Sequence, residues 1–344
     1  MGVNFKDLVT PVAAPLEMLK GRVIAIDGYN ALYQFLAIIR QPDGTPLRDS
    51  QGRITSHLSG VFYRTVNFLE GGIKPAFVFD GKPPELKTEE IVRRVKVKEK
   101  AREDYKEAVE RGDFVEARKF AQATSRLSID MVQQAKDLLG AMGVPCIQAP
   151  SEGEAQAAFM TRKGDAWATV SQDYDALLFG SPRLVRNLTI SGRRKLPNKR
   201  VYIDIEPEML RLEDTLAELK LTRERLIDLG ILLGTDFNPD GFKGIGPKKA
   251  FKIITEAGTL ESAIEKRMIE PDEKFDFKAI REIFLNPKTT NDYRLEWGSV
   301  DRVAVTRMLC EEFDFSPERI GGALDRIEKT SKELKKQPNL EKWF

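Results

Sequence analysis

RVIAID (Arg22–Asp27) and PAFVFDG (Pro75–Gly81) are short apolar runs that each lead to an acid. Both are rich in β-branched and aromatic residues, and neither alternates polar with apolar. That is the pattern of strands buried on both faces of a parallel sheet. Further along, VPCIQAPSEGE (Val144–Glu154) leads to Glu152 and Glu154, and AWATVSQDYD (Ala166–Asp175) leads to Asp173 and Asp175. Helical segments such as ALYQFLAIIR and SIDMVQQAKDLLGAMG separate these runs. The expected fold is α/β, a mostly parallel twisted central sheet flanked by helices. In such sheets ligands bind at the carboxyl ends of the strands, which is where all four acidic groups fall.

A single Asp at a strand end is usually a turn residue or a helix cap, and Ser151 with Glu154 three residues later has the form of a capping box. Four acidic groups in succession need another account. Two carboxylates about 5 Å apart at an effective dielectric near 20 repel by roughly 3 kcal/mol. Gathering several of them therefore demands cations or large pKa shifts. Two Mg²⁺ ions about 4 Å apart would neutralise such a cluster and clamp the attacking and leaving oxygens of a phosphodiester. His57 is the only histidine, which removes His-based zinc sites and any Ser-His-Asp triad. Carboxylate-held Mg²⁺ or Mn²⁺ is what the acids leave open.

The 344 residues are enough for one large domain or two ordinary ones, and 41% hydrophobic with 31% charged residues suits a water-soluble globular chain. No apolar run approaches the roughly 18 residues of a membrane span. The opening MGVNFKDLVTPVAAP has too weak a basic region for a signal peptide, and Lys6 stands where a myristoylation signal needs Ser or Thr. Cys146 and Cys310 show no metal-binding spacing and fit a reducing compartment. A net charge of +2 decides nothing about nucleic acid, so local basic patches must.

Three patches qualify. The stretch between Gly81 and Gly143 is helical and dense in mixed charge, which most simply reads as a solvated face. Lys87, Arg94 and Lys98 nevertheless fall at helical spacings on one side, close in sequence to Asp80, where they could hold phosphates. ISGRRKLPNKRVY (Ile190–Tyr202) carries Arg193, Arg194 and Lys195 on a loop or hairpin. Finally, Thr222 to Gly234 reads as an amphipathic helix ending near Asp236, followed by GIGPKKA (Gly244–Ala250). There Gly244 and Gly246 form a turn, Pro247 opens a new helix, and Lys248 and Lys249 join its free N–H groups as a phosphate site.

Together these motifs resemble the flap endonuclease family of structure-specific 5′ nucleases, most closely the archaeal members. The resemblance runs from MGV to Phe344 through IDGYNALYQFL, FVFDGKPPELK, EGEAQAA, SQDYDALLFG, LLGTDFNPDGFKGIGPKKA and QPNLEKWF, in that order. It implies a PIN-like nuclease fold and cleavage at the base of 5′ DNA flaps, with associated 5′-3′ exonuclease activity, in Okazaki-fragment maturation and repair. By resemblance, Asp27, Asp80, Glu152, Glu154, Asp173, Asp175 and Asp236 bind two Mg²⁺, for which Mn²⁺ can substitute. Lys87 and Arg94 are the implied electrostatic partners of the scissile phosphate, the spacing from Lys87 favouring Arg94 over Arg93.

Tyr33 matches a tyrosine on which a base stacks, against the simpler reading of a core tyrosine, and Gly2 matches a glycine beside the substrate. A helical arch at about 82–130 and a helix-hairpin-helix at about 222–260, where K⁺ often sits, are implied within one nuclease domain, 1–330. A tail, 331–344, would dock on the sliding clamp PCNA through Gln337, Leu340, Trp343 and Phe344. The chain lacks the basic tail that eukaryotic members carry beyond this motif, which points to an archaeal, cytoplasmic and nucleoid-associated protein. Asp204 and Asp240 match no catalytic position.

Three rivals compete with this reading. The first is a different nuclease on the same scaffold, an excision-repair endonuclease or a toxin-like ribonuclease, and the arch and the helix-hairpin-helix argue against the ribonuclease. An aspartyl phosphatase would need a second Asp two residues after Asp80, where Lys82 stands. A non-catalytic clamp-bound scaffold has no use for so many clustered acids.

Overall fold

Ile24 and Ile26 bury their side chains among the helices of one layer, while Ala25 between them joins a separate cluster on the opposite face. Phe77 and Phe79 likewise alternate with Ala76 and Val78. The sheet's central strands therefore present bulky residues to one side and smaller ones to the other, following the two-residue strand period. The computed structural model describes residues 2–41, 44–87, 93, 96–97, 99–101, 103–104, 107–108, 111, 127–190, 192–195, 202–270 and 276–336.

Among the described residues the strands are β1 (Val12–Ala13), β2 (Val23–Asp27), β3 (Lys74–Phe79), β4 (Cys146–Gln148), β5 (Ala168–Val170), β6 (Arg183–Arg186), β7 (Gly192–Lys195), β8 (Tyr202–Ile205) and β9 (Glu208–Arg211). Seven of them form one sheet in the order β1-β9-β6-β5-β2-β3-β4. The pairs from β6 across to β4 are parallel, with Asp27 in register with Val78, and β9 and β1 close one edge antiparallel. The mostly parallel sheet expected from the apolar runs is present. β7 and β8 form a separate antiparallel hairpin, which carries Arg193, Arg194 and Lys195 on its first strand.

Helices α1 (Gly28–Ile38), α2 (Ser56–Glu70) and α3 (Ile129–Ala141) cover the bulky face. The alanine-rich α4 (Gly153–Lys163) packs on the small-residue face through Ala157 and Met160. A second core gathers α5 (Asp175–Leu178), α6 (Leu212–Leu219), α7 (Arg223–Leu233), α8 (Pro247–Ala257), α9 (Leu260–Glu265) and α10 (Phe277–Leu285) around Phe179, Leu229 and Phe284. Val3, Phe5 and Val9 of the N-terminus are buried in it too.

From 287 to 301 the chain has no helix or strand and lies as a strap over the small-residue face. Tyr293, Leu295 and Trp297 anchor it, with Trp297 Nε1 donating to the Pro75 carbonyl at 2.7 Å. α11 (Arg302–Thr306) and α12 (Pro317–Lys336) follow. α12 runs six residues past the expected domain end at 330. Gln337, Leu340, Trp343 and Phe344 lie outside the described residues, as do Arg94 and Lys98 and much of the expected arch.

Candidate active site

Each acid reaches the site because an apolar strand or helix runs out beside it. Asp27 is the last residue of β2 and caps α1, accepting from the Asn30 N–H at 2.9 Å. Asp80 follows β3, and its Oδ1 accepts from the Gly153 N–H at 2.6 Å. Glu152 is the N-cap residue of α4, with Glu154 in the first turn. The capping box expected of Ser151 and Glu154 does not form: Glu152 takes the cap position, and the first free N–H is satisfied by Asp80. Asp173 lies between β5 and α5, Asp175 is the first residue of α5, and Asp236 follows α7.

These seven acids line one cavity of about 330 Å³, together with Tyr29, Asn30, Tyr33 and Lys87. Among the described residues, no three His, Cys, Asp or Glu side chains close into a ready metal cage. The acids face one another across the cavity instead. Lys87 joins two of them, its Nζ donating to Glu152 Oε2 and lying 3.2 Å from Asp236 Oδ2.

Burial dominates the electrostatics. It pushes the carboxyls of Asp27 and Glu154 well above the usual range, with neighbouring Asp80 and Asp175, respectively, adding to the effect. Asp175 is pushed up to about 8, by burial first and then by Asp236 and Asp173. Glu152 also sits high, because burial outweighs the attraction of Lys87. For Lys87 the balance is reversed: burial opposes its charge, but Glu152 and Asp236 hold the ammonium protonated. The Glu154 Oε1 atom is buried and has no hydrogen-bond partner among the described residues. Like-charged buried groups of this kind mark a place built for cations.

The other expected site residues divide. Tyr33 is 37% exposed in the cavity wall and is not a core tyrosine. Gly2 lies against Asp175, where a Cβ would sit 2.6 Å from the carboxylate, and the next N–H, of Val3, donates to Asp175 Oδ1 at 2.7 Å. Gly244, with φ +74°, and Gly246, the N-cap of α8, form the expected turn. Pro247 is the first residue of α8, and Lys248 and Lys249 are exposed in its first turn. This element is absent from the acid-lined cavity, so the structure keeps it as a separate surface. Asp204 pairs with Arg193 in the hairpin register, and exposed Asp240 forms an ion pair with Arg93 at 2.8 Å.

The sequence reading missed the residues that fix the acids. Asn30 Nδ2 donates to Asp173 Oδ2 at 3.0 Å, while Asn30 Oδ1 accepts from Gln34 Nε2 and from the Gln172 N–H. Thr189 Oγ1 in turn donates to Gln34 Oε1 at 2.6 Å. The signal available was Asn30 itself, a polar residue three places after Asp27 at the start of an apolar helix.

Sequence profiles match two stretches of the chain: the XPG N-terminal domain over residues 1–101 and the XPG I-region over residues 143–236. Flap endonuclease 1 of Staphylothermus marinus is 57% identical over 352 residues, covering 100% of both chains. That of Pyrococcus abyssi is 54% identical, covering 100% of this chain and 98% of its own. Among solved structures, flap endonuclease-1 from Methanococcus jannaschii aligns with a TM-score of 0.76 at 43% identity, over 97% of this chain and 100% of that one. The catalytic core of Rad2 in complex with DNA substrate shares the fold, with a TM-score of 0.71 at 24% identity over 95% of this chain and 100% of that one. The acid-tipped parallel sheet and this end-to-end similarity lead to one conclusion: the chain belongs to the flap endonuclease family of structure-specific 5′ nucleases.

Proposed function

We propose that the protein hydrolyses phosphodiester bonds at the base of 5′ DNA flaps, with associated 5′-3′ exonuclease activity, and serves Okazaki-fragment maturation and repair. One observation carries this reading: seven acids from separate elements line a single cavity with Lys87 and Tyr33. Nucleases of this family are metal-dependent, and the residues fit that need. The donors are all hard oxygens, buried Glu154 Oε1 lacks a partner among the described residues, and burial with mutual repulsion raises the carboxyl pKa values of Glu154 and Asp175.

Asp27, Asp80, Glu152, Glu154, Asp173, Asp175 and Asp236 would hold two Mg²⁺, or Mn²⁺ in their place. Bound there, the ions supply charge neutralisation and activation of a water for in-line attack. Lys87, released from Glu152 and Asp236, places a fixed positive charge beside the scissile phosphate, and Arg94 adds a second. Tyr33 offers an exposed ring for a base at the cleavage site to stack on. Gly2 keeps a side chain out of the approach to Asp175.

The duplex is held at a distance. Free N–H groups at the start of α8, with Lys248 and Lys249, take a phosphate without reading sequence, and K⁺ is the ion expected at the Gly244–Gly246 turn. Arg193, Arg194 and Lys195 on the hairpin add a further basic contact. In this reading 1–330 is one nuclease domain, and residues beyond α12 carry Gln337, Leu340, Trp343 and Phe344 to PCNA. No described helix is long and apolar enough to cross a membrane, and the proposed location is the archaeal cytoplasm, at the nucleoid.

The test is to incubate the protein with Mg²⁺ and labelled 5′-flap, 3′-flap, single-stranded and RNA substrates and to map the products. Selective cutting at the base of the 5′ flap is expected. Equal cutting of RNA, or no cutting at all, would overturn the reading.

A further inference from the structure

A second cavity, of about 670 Å³, adjoins the acid-lined one, and Pro83, Glu152 and Phe179 stand in the walls of both. Its size falls within the roughly 300–1,000 Å³ of sites that hold small organic groups. Much of the remaining wall is apolar: Pro84 and Leu86 from the segment after β3, and Ala279 and Ile283 from α10. Leu86 is left 37% exposed, an aliphatic side chain facing open space. Lys82 and Lys288, both exposed, set two ammonium groups in a wall that also holds the carboxylates of Glu152 and Glu282. Glu282 is held by Asn286, whose Nδ2 donates to its Oε1 at 2.6 Å.

Flat apolar faces beside two ammonium groups suit a group that is planar and apolar on one side and anionic on the other. A free phosphate or a metal ion would find no use for Pro84, Leu86 and Ile283, and a purely aliphatic ligand none for the lysines. A nucleobase on its phosphodiester uses both, stacking on the apolar wall while its phosphate meets a lysine. The shared wall adds direction. Because the two cavities share Pro83, Glu152 and Phe179, a strand whose phosphate lies over the acids has this space directly beside it.

Taking the acid-lined cavity as the cleaving centre, we propose that the second cavity receives the base of the unpaired nucleotide immediately on the flap side of the scissile phosphate. Seating that base fixes which phosphate lies over the acids, so the cavity helps set the position of the cut. Tyr33, in the acid-lined cavity, is left for the base on the other side of the break.

The test compares two 5′-flap substrates that differ only at this nucleotide, one carrying its base and one abasic, in single-turnover reactions with Mg²⁺. For the wild type, loss of the base should raise the half-saturating enzyme concentration about tenfold and spread the products over neighbouring phosphates. Ala279→Phe, which fills the cavity from the surface of α10, should cut the abasic substrate as the wild type does and lose the preference for the intact one. Equal half-saturation and equal product lengths for the two substrates on wild-type protein would overturn the proposal while leaving the cleaving centre intact. Failure of the wild type to cut either substrate would instead overturn the reading of the acids. Should Ala279→Phe melt below the wild type, 2-aminopurine at the same nucleotide decides without a variant. Its fluorescence should rise when the wild type binds in the absence of divalent metal, because the base exchanges its stacked neighbours for an aliphatic wall, and unchanged fluorescence counts against a seated base.

Discussion

The Gly153 N–H donates to Asp80 Oδ1 at 2.6 Å, so α4 receives its N-terminal hydrogen bond from a residue 73 positions earlier. One carboxylate thus ties the end of β3 to the helix that presents Glu152 and Glu154. Structure and chemistry can be separated at this residue. Asp80→Asn keeps the acceptor and removes the charge, so it should abolish cleavage with little change in stability. Asp80→Ala should abolish cleavage and also cost about 1 kcal/mol, the usual loss for a helix cap. Both variants should still bind flap DNA. Denaturant titration with single-turnover assays checks this, and an Asp80→Asn protein with a tenth of wild-type rate would sink the ligand role.

Lys87 neutralises Glu152 and Asp236. Lys87→Ala should slow the chemical step by about 10²–10³-fold, the scale of a lost transition-state charge contact, and should lower the melting temperature of the metal-free protein. Added Ca²⁺ should recover most of that melting temperature, because the ion replaces the missing positive charge. Arg94→Ala should slow chemistry similarly. Salt-dependent affinity changes with an unchanged chemical rate would reduce both residues to steering.

Asp175, with a folded pKa of about 8 and an ordinary value of 3.8, disfavours the folded state whenever it must ionise. The penalty is absent below pH 4, grows as pH rises through that window, and is complete above 8. Asp175→Asn retains an acceptor for the Val3 N–H. In metal-free buffer it should therefore melt above the wild type at pH 8, by a margin that vanishes towards pH 4, while losing cleavage. Scanning calorimetry across this range reads the margin directly, and a variant that melts below the wild type at pH 8 would refute the argument.

His57 is fully buried, with Nε2 bonded to Gln134 Oε1 at 2.8 Å and no partner for Nδ1 among the described residues. Burial pulls its pKa down to about 4. Because the folded value lies below the unfolded 6.5, the neutral ring's contribution is complete above pH 6.5 and is lost as pH falls towards 4. The loss amounts to about 3 kcal/mol. His57→Gln should flatten the fall in stability between these pH values. Parallel slopes for the two proteins would show that acid sensitivity arises elsewhere.

Deleting the last eight residues, 337–344, should leave cleavage of short flaps unchanged without PCNA and should remove stimulation by PCNA. Calorimetry of the isolated peptide with the clamp gives the direct measurement. A truncated enzyme that melts markedly lower, or a peptide that fails to bind, would make these residues part of the fold.

What could be read from the residues followed physical lines. β2 and β3 were legible because strands covered on both faces need continuous apolar runs, and their acids follow directly. The edge pairing of β1 and β9 was hidden, since two- and four-residue strands carry too little pattern. Ser151 misled: it sits one residue too early, and the cap comes from Asp80, a partner no local motif reveals. Asn30 and Gln34 stayed unnoticed because their value lies in reaching Asp173 and Thr189, 143 and 155 positions away. The strap at 287–301 has no periodicity to detect, although Trp297 holds it to the Pro75 carbonyl.

The contact between Val3 and Asp175 spans 172 positions. A growing chain releases its N-terminus from the ribosome long before Asp175 exists to receive it, and Asp236 comes later still. Strand β2 with its Asp27 can form early, yet the acids cannot surround a common space until two thirds of the protein has been synthesised. A polypeptide that ends before Asp236 therefore carries most of the acids but not the enclosure that makes them act together.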